Sequence, residues 1–140
     1  MRLRRRAALA GILRQRTDTI LEHIVPEAVT ASTSFGLTAE RGNAFAQEVS
    51  QTLPLALAAV AASDAERDRL VAELIGDVRG ITARYHVPLI VERGLVSIGF
   101  MAARQLLRDQ AAGSGFGEEE LAREYDEFQA AFEERLARLV

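Results

Sequence analysis

Apolar residues recur along this chain at intervals of three and four, the spacing that puts side chains on one face of an α-helix. No alternating strand pattern interrupts them, so the fold class expected is all-α. A first helix over about 3–24 carries Leu9, Ile12, Leu13, Ile20 and Ile24 on one side. Pro26 ends it, or opens a short second helix through Val29. Thr30 to Gly36 reads as a loop, because its small hydroxyl residues compete for backbone hydrogen bonds. Thr38 can cap a helix bearing Phe45, Val49, Leu53, Leu57 and Val60, which Pro54 should kink or divide. Ser63-Asp64-Ala65-Glu66 has the form of a capping box, with Ser63 as cap and Glu66 reaching back. The helix after it shows Leu70, Val71, Leu74, Val78, Ile81 and Tyr85.

His86-Val87-Pro88 predicts a corner, since Pro88 pushes Val87 out of helical geometry and itself suits a first helical position. From Leu89 to Leu107 the chain is apolar almost all round. Such a helix should be central, or shared between the core and a subunit interface. Ala112 to Gly117 is the clearest flexible loop. The last helix runs from about Glu118 to the end, with the stripe Leu121, Tyr125, Phe128, Phe132, Leu136 and Leu139. Its three leading glutamates sit at the positive end of the helix dipole and Arg135 and Arg138 near the negative end. With no repeat and no linker, residues 1–140 are expected to form one domain.

Composition narrows the function. A length of 140 residues with 49% hydrophobic content supports a folded core rather than disorder. There is no cysteine, which excludes disulfides and thiolate metal sites and fits a reducing compartment. Net charge is −3, so bulk electrostatics give no reason to bind nucleic acid. All seventeen basic residues are arginine. The basic start Arg2 to Arg6 followed by an apolar run is superficially leader-like. Arg14 and Arg16 interrupt the run and no convincing cleavage site follows, so no leader is expected. No uncharged stretch reaches the roughly 18 residues of a spanning helix. The expected location is the cytoplasm, away from membranes.

Catalytic chemistry finds little support. His23 and His86 are the two histidines, and neither has the neighbours of a metal site. His23 suits a solvated helix end. His86, beside Tyr85 between two apolar helices, is either a corner histidine bonded to a backbone carbonyl or an axial haem ligand. Gly113-Ser114-Gly115 lacks the strand-turn-helix setting of a nucleophile elbow and reads as a loop. Glu118 to Glu120 and Asp126-Glu127 suit a solvated face, as does the arginine tract at the start. The stripe Tyr125, Phe128, Phe132 suits core or interface packing. The chain is therefore expected not to be an enzyme, and no metal is expected.

The segment Ile81-Thr82-Ala83-Arg84-Tyr85-His86-Val87-Pro88-Leu89, leading through Arg93-Gly94 into a long apolar helix, resembles bacterial globin-like sensor domains. It is similar to the N-terminal non-haem globin domain of RsbR-type stressosome proteins and to that of PucR-type transcription regulators. Those domains have a Gly-Val-Pro-Leu-like corner, and here His86 stands where they have glycine. The resemblance implies a globin-like domain of about six helices with the penultimate helix central. It implies a homodimer formed through the last two helices, passing a signal in stress response or transcription regulation to an effector domain or partner protein. It also implies a ligand pocket lined by Phe45, Val49, Leu74, Val78, Ile81, Tyr85, His86, Leu89 and Val96, with Tyr85 and His86 as polar handles. Haem-binding globin-coupled sensors are similar over the same segment, but their ligating histidine falls near Ile81 or Thr82. That departure implies the non-haem branch and no cofactor. The alternative is a haem sensor of a diatomic gas with His86 as axial ligand in a shifted register. The apolar surface of the last two helices adds a reason for pairing: Phe100, Met101, Tyr125, Phe128, Phe132 and Leu136 are expected at the dimer interface.

Overall fold

The computed structural model describes residues 2–110 and 115–138. Its seven helices are α1 (Arg2–Gln15), α2 (Thr17–Ser34), α3 (Ala39–Ser50), α4 (Leu53–Ala61), α5 (Asp64–Arg84), α6 (Leu89–Gln110) and α7 (Glu118–Arg138). The protein is all-α, with no strand among the described residues, and is consistent with a globin-like helical domain. Of the loop expected over 112–117, residues 112–114 lie outside the described residues, as does Leu139 of the last stripe.

The described residues form seven helices, in keeping with the about six expected; the chain breaks where polar geometry, rather than the apolar pattern, decides. The expected first helix divides at Arg16, whose backbone (φ −132°, ψ 37°) leaves the helical region. Leu9 and Leu13 before the break and Ile20 after it still enter one core cluster. Pro26 does not end α2 but sits inside it. Proline costs one hydrogen bond, to the carbonyl of Glu22; both residues are exposed, so water can serve that carbonyl.

The expected loop from Thr30 to Gly36 is the last turn of α2 for most of its length. The hydroxyls that suggested a loop bond back along the helix instead. Ser32 and Thr33 donate to the Val29 carbonyl (3.1 and 2.8 Å) and Ser34 to that of Thr30 (2.7 Å). α2 then ends in a Schellman turn: Leu37 N–H donates to Ser32 O (3.2 Å), Gly36 N–H to Thr33 O (3.1 Å), and Gly36 takes φ 107°.

The caps are mostly those expected. Thr38 accepts from Arg41 N–H at 3.2 Å and Ser63 from Glu66 N–H at 3.5 Å. The Glu66 side chain turns to Arg69 (2.7 Å) rather than back to the cap. Pro54 divides the third expected helix, landing in the first turn of α4 where its missing N–H is harmless.

Two hydrophobic clusters fill the interior. The larger gathers Leu9 and Leu13 of α1, Leu57 and Val60 of α4, Val71, Leu74 and Ile75 of α5, Leu106 and Leu107 of α6, and Leu121, Tyr125, Phe128 and Phe132 of α7. The smaller joins Ala28 of α2, Phe45, Ala46 and Val49 of α3, Ile81 of α5, and Val87, Val91 and Leu95 around the start of α6. α2 and α3 approach closely at Gly42, where a Cβ would stand 2.9 Å from Thr33 Cγ2. The penultimate helix, α6, is central and packs on α1, α2, α5 and α7. It is not buried on most sides, as its apolar composition led one to expect: Ile90 (70% exposed) and Met101 (68%) face outward, and Leu89 is exposed too. Its buried face needs only Val91, Glu92, Leu95, Ala102, Ala103, Leu106 and Leu107.

The arginine tract that was expected to be a solvated helix start is instead tied into the fold. Arg6 is buried; its Nε reaches Glu124 of α7 (3.2 Å), Nη1 donates to Ala62 O (2.7 Å), and Nη2 meets Asp64 (2.6 Å). Arg5 also bonds Glu124 (3.3 Å), and Arg2 pairs with Glu127. Buried Arg67 donates to the last carbonyls of α4, Ala59 O (3.2 Å) and Val60 O (2.8 Å). Burial, with Arg6 close by, pushes the Arg67 guanidinium down to about 10, which leaves it charged at neutral pH. Asp64 is held below the usual carboxylate range by its hydrogen bond and charge pairing with Arg6.

Candidate functional site

The feature that invites a function is an apolar cavity of about 140 Å³ within the larger cluster. Its floor is buried: Leu13 of α1, Ile20 of α2, Leu57 and Val60 of α4, Leu74 of α5, Ala103 of α6, and Tyr125, Phe128 and Phe132 of α7. Half-buried lining residues mark a rim made by Leu21 and Ile24 of α2, Ser50, Thr52 and Leu53 at the α3–α4 turn, and Val96, Gly99 and Phe100 of α6. The shape follows from helix packing. A Cβ on Gly99 would lie 3.5 Å from Ile24 Cδ1, so α2 and α6 come together at this small residue beside the void. On α5, Leu74, Val78 and Thr82 descend one wall at four-residue intervals.

Four of the nine pocket residues named from the sequence line this cavity: Val49, Leu74, Val78 and Val96. The other five do not. Phe45 and Ile81 belong to the smaller cluster, one layer away. Tyr85 packs on the same cluster, edge-on to Phe45 at 5.6 Å, and its hydroxyl bonds Glu48. That hydrogen bond holds the Glu48 carboxyl below its usual range and the Tyr85 phenol above its own. Leu89 is exposed at the start of α6.

His86 is exposed and occupies the left-handed position of a second Schellman turn, with φ 54°. Val87 N–H donates to Thr82 O (2.9 Å) and His86 N–H to Ala83 O (3.1 Å), the same pairing that closes α2 at Gly36. The turn directs the backbone and puts the imidazole outside the cavity lining, so His86 is placed neither as a pocket handle nor as an axial ligand. His23 is exposed too, its ring bonded to Thr19 O (2.9 Å). Among the described residues no three histidine, aspartate or glutamate side chains gather as a metal site.

The expected interface residues are also relocated. Tyr125, Phe128 and Phe132 are buried within the single chain, because the amphipathic stripe of α7 turns toward α5 and α6. Half-buried Phe100 completes the cluster, edge-on to Phe132 (5.2 Å) and Tyr125 (6.1 Å). Leu136 packs on the same core. Of the six, Met101 alone is exposed. Tyr125 donates its hydroxyl to Phe100 O at 2.5 Å, and burial raises its phenol pKa.

Polar chemistry at the cavity is sparse. Ser50, Thr52, Thr82 and Tyr125 contribute hydroxyls, and next to Thr82 lies a buried carboxylate, Glu92, 3.6 Å from Arg79 Nε. No spacing or neighbouring residue type marked Glu92 in advance, since a glutamate in the first turn of a helix ordinarily serves the dipole from the surface. Burial raises its carboxyl pKa, while Arg79, Arg93 and the Thr82 hydroxyl pull it back. Compared with protein-family models, curated proteins and solved structures, the chain matches none of them.

Proposed function

We propose that this protein is a non-catalytic sensor module that binds a small, mainly apolar molecule in the cavity and relays its presence through α7. The observation that supports this best is where the cavity lies. Its lining includes Tyr125, Phe128 and Phe132, the stripe that seats α7 on the rest of the fold. An occupant therefore contacts the residues on which the docking of α7 depends. Size fits the reading: an apolar void of roughly 150 Å³ suffices for a benzene-sized molecule, against about 140 Å³ here. A ligand that prefers one docking of α7 shifts the protein toward it, and that preference is the signal. The recipient is an effector domain or a regulatory partner, as in the sensor domains of stress and transcription control that the corner segment resembles. Pairing with a second copy remains part of the reading, but it draws on the outward face of α6 around Met101 rather than on the internal α7 stripe.

Calorimetric titration with toluene tests the reading. Saturable one-to-one binding is expected, weakened at least roughly tenfold in a folded Ala103→Leu variant that fills the void. Amide exchange in α7 should slow when toluene is bound. A folded protein that takes up no toluene at millimolar concentration, with unchanged exchange, refutes the proposal.

A further inference from the structure

The polar atoms around the cavity share a property that selects the ligand's chemistry. A serine or threonine hydroxyl has one hydrogen to donate and two lone pairs to accept with. Each hydroxyl on the lining has already given its hydrogen to a backbone carbonyl: Ser50 to Gln47 O (2.7 Å), Thr52 to Val49 O (2.7 Å), Thr82 to Arg79 O (3.0 Å) and Tyr125 to Phe100 O (2.5 Å). What these side chains present is therefore lone pairs.

Glu92 adds negative charge to the same end. It is 1% exposed, and among the described residues no donor stands in hydrogen-bonding geometry to either of its carboxylate oxygens. Its ion pair with Arg79 at 3.6 Å is a charge contact rather than a hydrogen bond. Glu92 stands one turn before Leu95 and Val96 on α6, on the face that carries the lining. Arg79 and Thr82 of α5 are its polar neighbours where α5 meets α6. A buried carboxylate with unused lone pairs is costly, and a donor brought close relieves that cost.

We propose that the ligand is a small apolar molecule carrying one neutral hydrogen-bond donor, a hydroxyl or an N–H, and that Thr82, with Glu92 behind it, receives that donor. The inference rests on the sensor reading above. Carboxylic acids are disfavoured as ligands, because a carboxylate would face lone pairs and a like charge at Glu92.

Phenol, toluene and benzoate are matched probes of similar bulk. A cavity with no polar recognition favours toluene over phenol, because phenol must leave its hydrogen bonds to water unreplaced. Here phenol is expected to bind at least as tightly as toluene, and benzoate not measurably. Thr82→Val, which keeps the shape and removes the acceptor, should weaken phenol roughly tenfold and change toluene less than about twofold. Thr82→Ser should retain phenol binding, which separates lost recognition from a disturbed fold. If toluene binds but phenol does not, or benzoate outdoes phenol, or Thr82→Val weakens both aromatics alike, the donor inference is overturned and the cavity reading stands. If neither toluene nor phenol binds the folded protein, both readings fall.

Discussion

Truncating Phe128 is the sharpest test of which way α7 faces. The ring is 4% exposed, with centroids 6.0 Å from Phe100 and 6.5 Å from Phe132, and the Arg67 guanidinium lies 5.4 Å over it. Removing a buried phenylalanine to alanine costs about 3–5 kcal/mol, the spread reflecting how far the site collapses. Collapse is poor here, because Phe128 already borders the cavity and the new void joins the old one. Lost ring–ring contacts add about 0.5–1.5 kcal/mol. Phe128→Ala should therefore lose about 5 kcal/mol, a large share of the roughly 5–15 kcal/mol of a typical domain. Phe128→Leu keeps most of the bulk and should lose only about 1–2 kcal/mol. Urea denaturation followed by circular dichroism gives both values, and sedimentation equilibrium on the same samples gives the association state. If Phe128→Ala cost less than about 1 kcal/mol while a dimer dissociated, the side chain would face a partner and the internal placement of α7 would be wrong.

Two further perturbations probe backbone and packing. His86→Gly should raise stability by about 1 kcal/mol, since a non-glycine residue in the left-handed region is strained and the exposed imidazole gives up no core contact; a lower melting temperature would mean that His86 does something the turn does not require. Gly42→Ala should cost about 1–3 kcal/mol by forcing α2 and α3 apart, because its Cβ would meet Thr33 Cγ2 at 2.9 Å and Ser32 Oγ at 3.2 Å. Gly76→Ala on α5 has open space around it and should instead gain about 0.5–1 kcal/mol; equal effects at the two sites in urea denaturation would contradict the close α2–α3 approach.

The elements were legible where one physical signal dominated. The stripe on α7, the cap at Ser63 and the corner at Pro88 each rest on local chemistry that tertiary packing did not need to override. The hydroxyl run at Ser32 to Ser34 misled, because the same side chains that compete with a helix can also bond back to its carbonyls, and only the seating of α2 on α3 decides between them. Pro26 misled for a related reason: the hydrogen bond it removes faces solvent. For the site, the pattern identified apolar helix faces but not which faces meet. Val49, Leu74, Val78 and Val96 line the cavity, whereas Phe45, Ile81 and Tyr85, equally apolar and at the same spacing, close a neighbouring layer. Phe128 and Phe132 look alike whether a helix packs on its own chain or on another.

The two ends of α7 are held by different physics, and on the sensor reading this decides where an occupied cavity acts. Near its start, Glu124 is buried against Arg6 and Arg5, and Arg6 in turn holds Asp64 and the Ala62 carbonyl. Separating charges that have left water exposes an uncompensated buried ion, so this end resists displacement. Toward the other end the ion pairs are Arg135 with Asp68, between partly exposed groups, and Arg138 with Glu134 on the helix itself. Exposed pairs of that kind contribute little and are screened by salt. Between the two stands the aromatic stripe that borders the cavity. A molecule that pushes on Phe128 and Phe132 therefore meets a fixed point at Glu124 and a compliant segment beyond Phe132. The displacement this favours is a pivot of the C-terminal half of α7 about its charge-anchored start, not a translation of the whole helix.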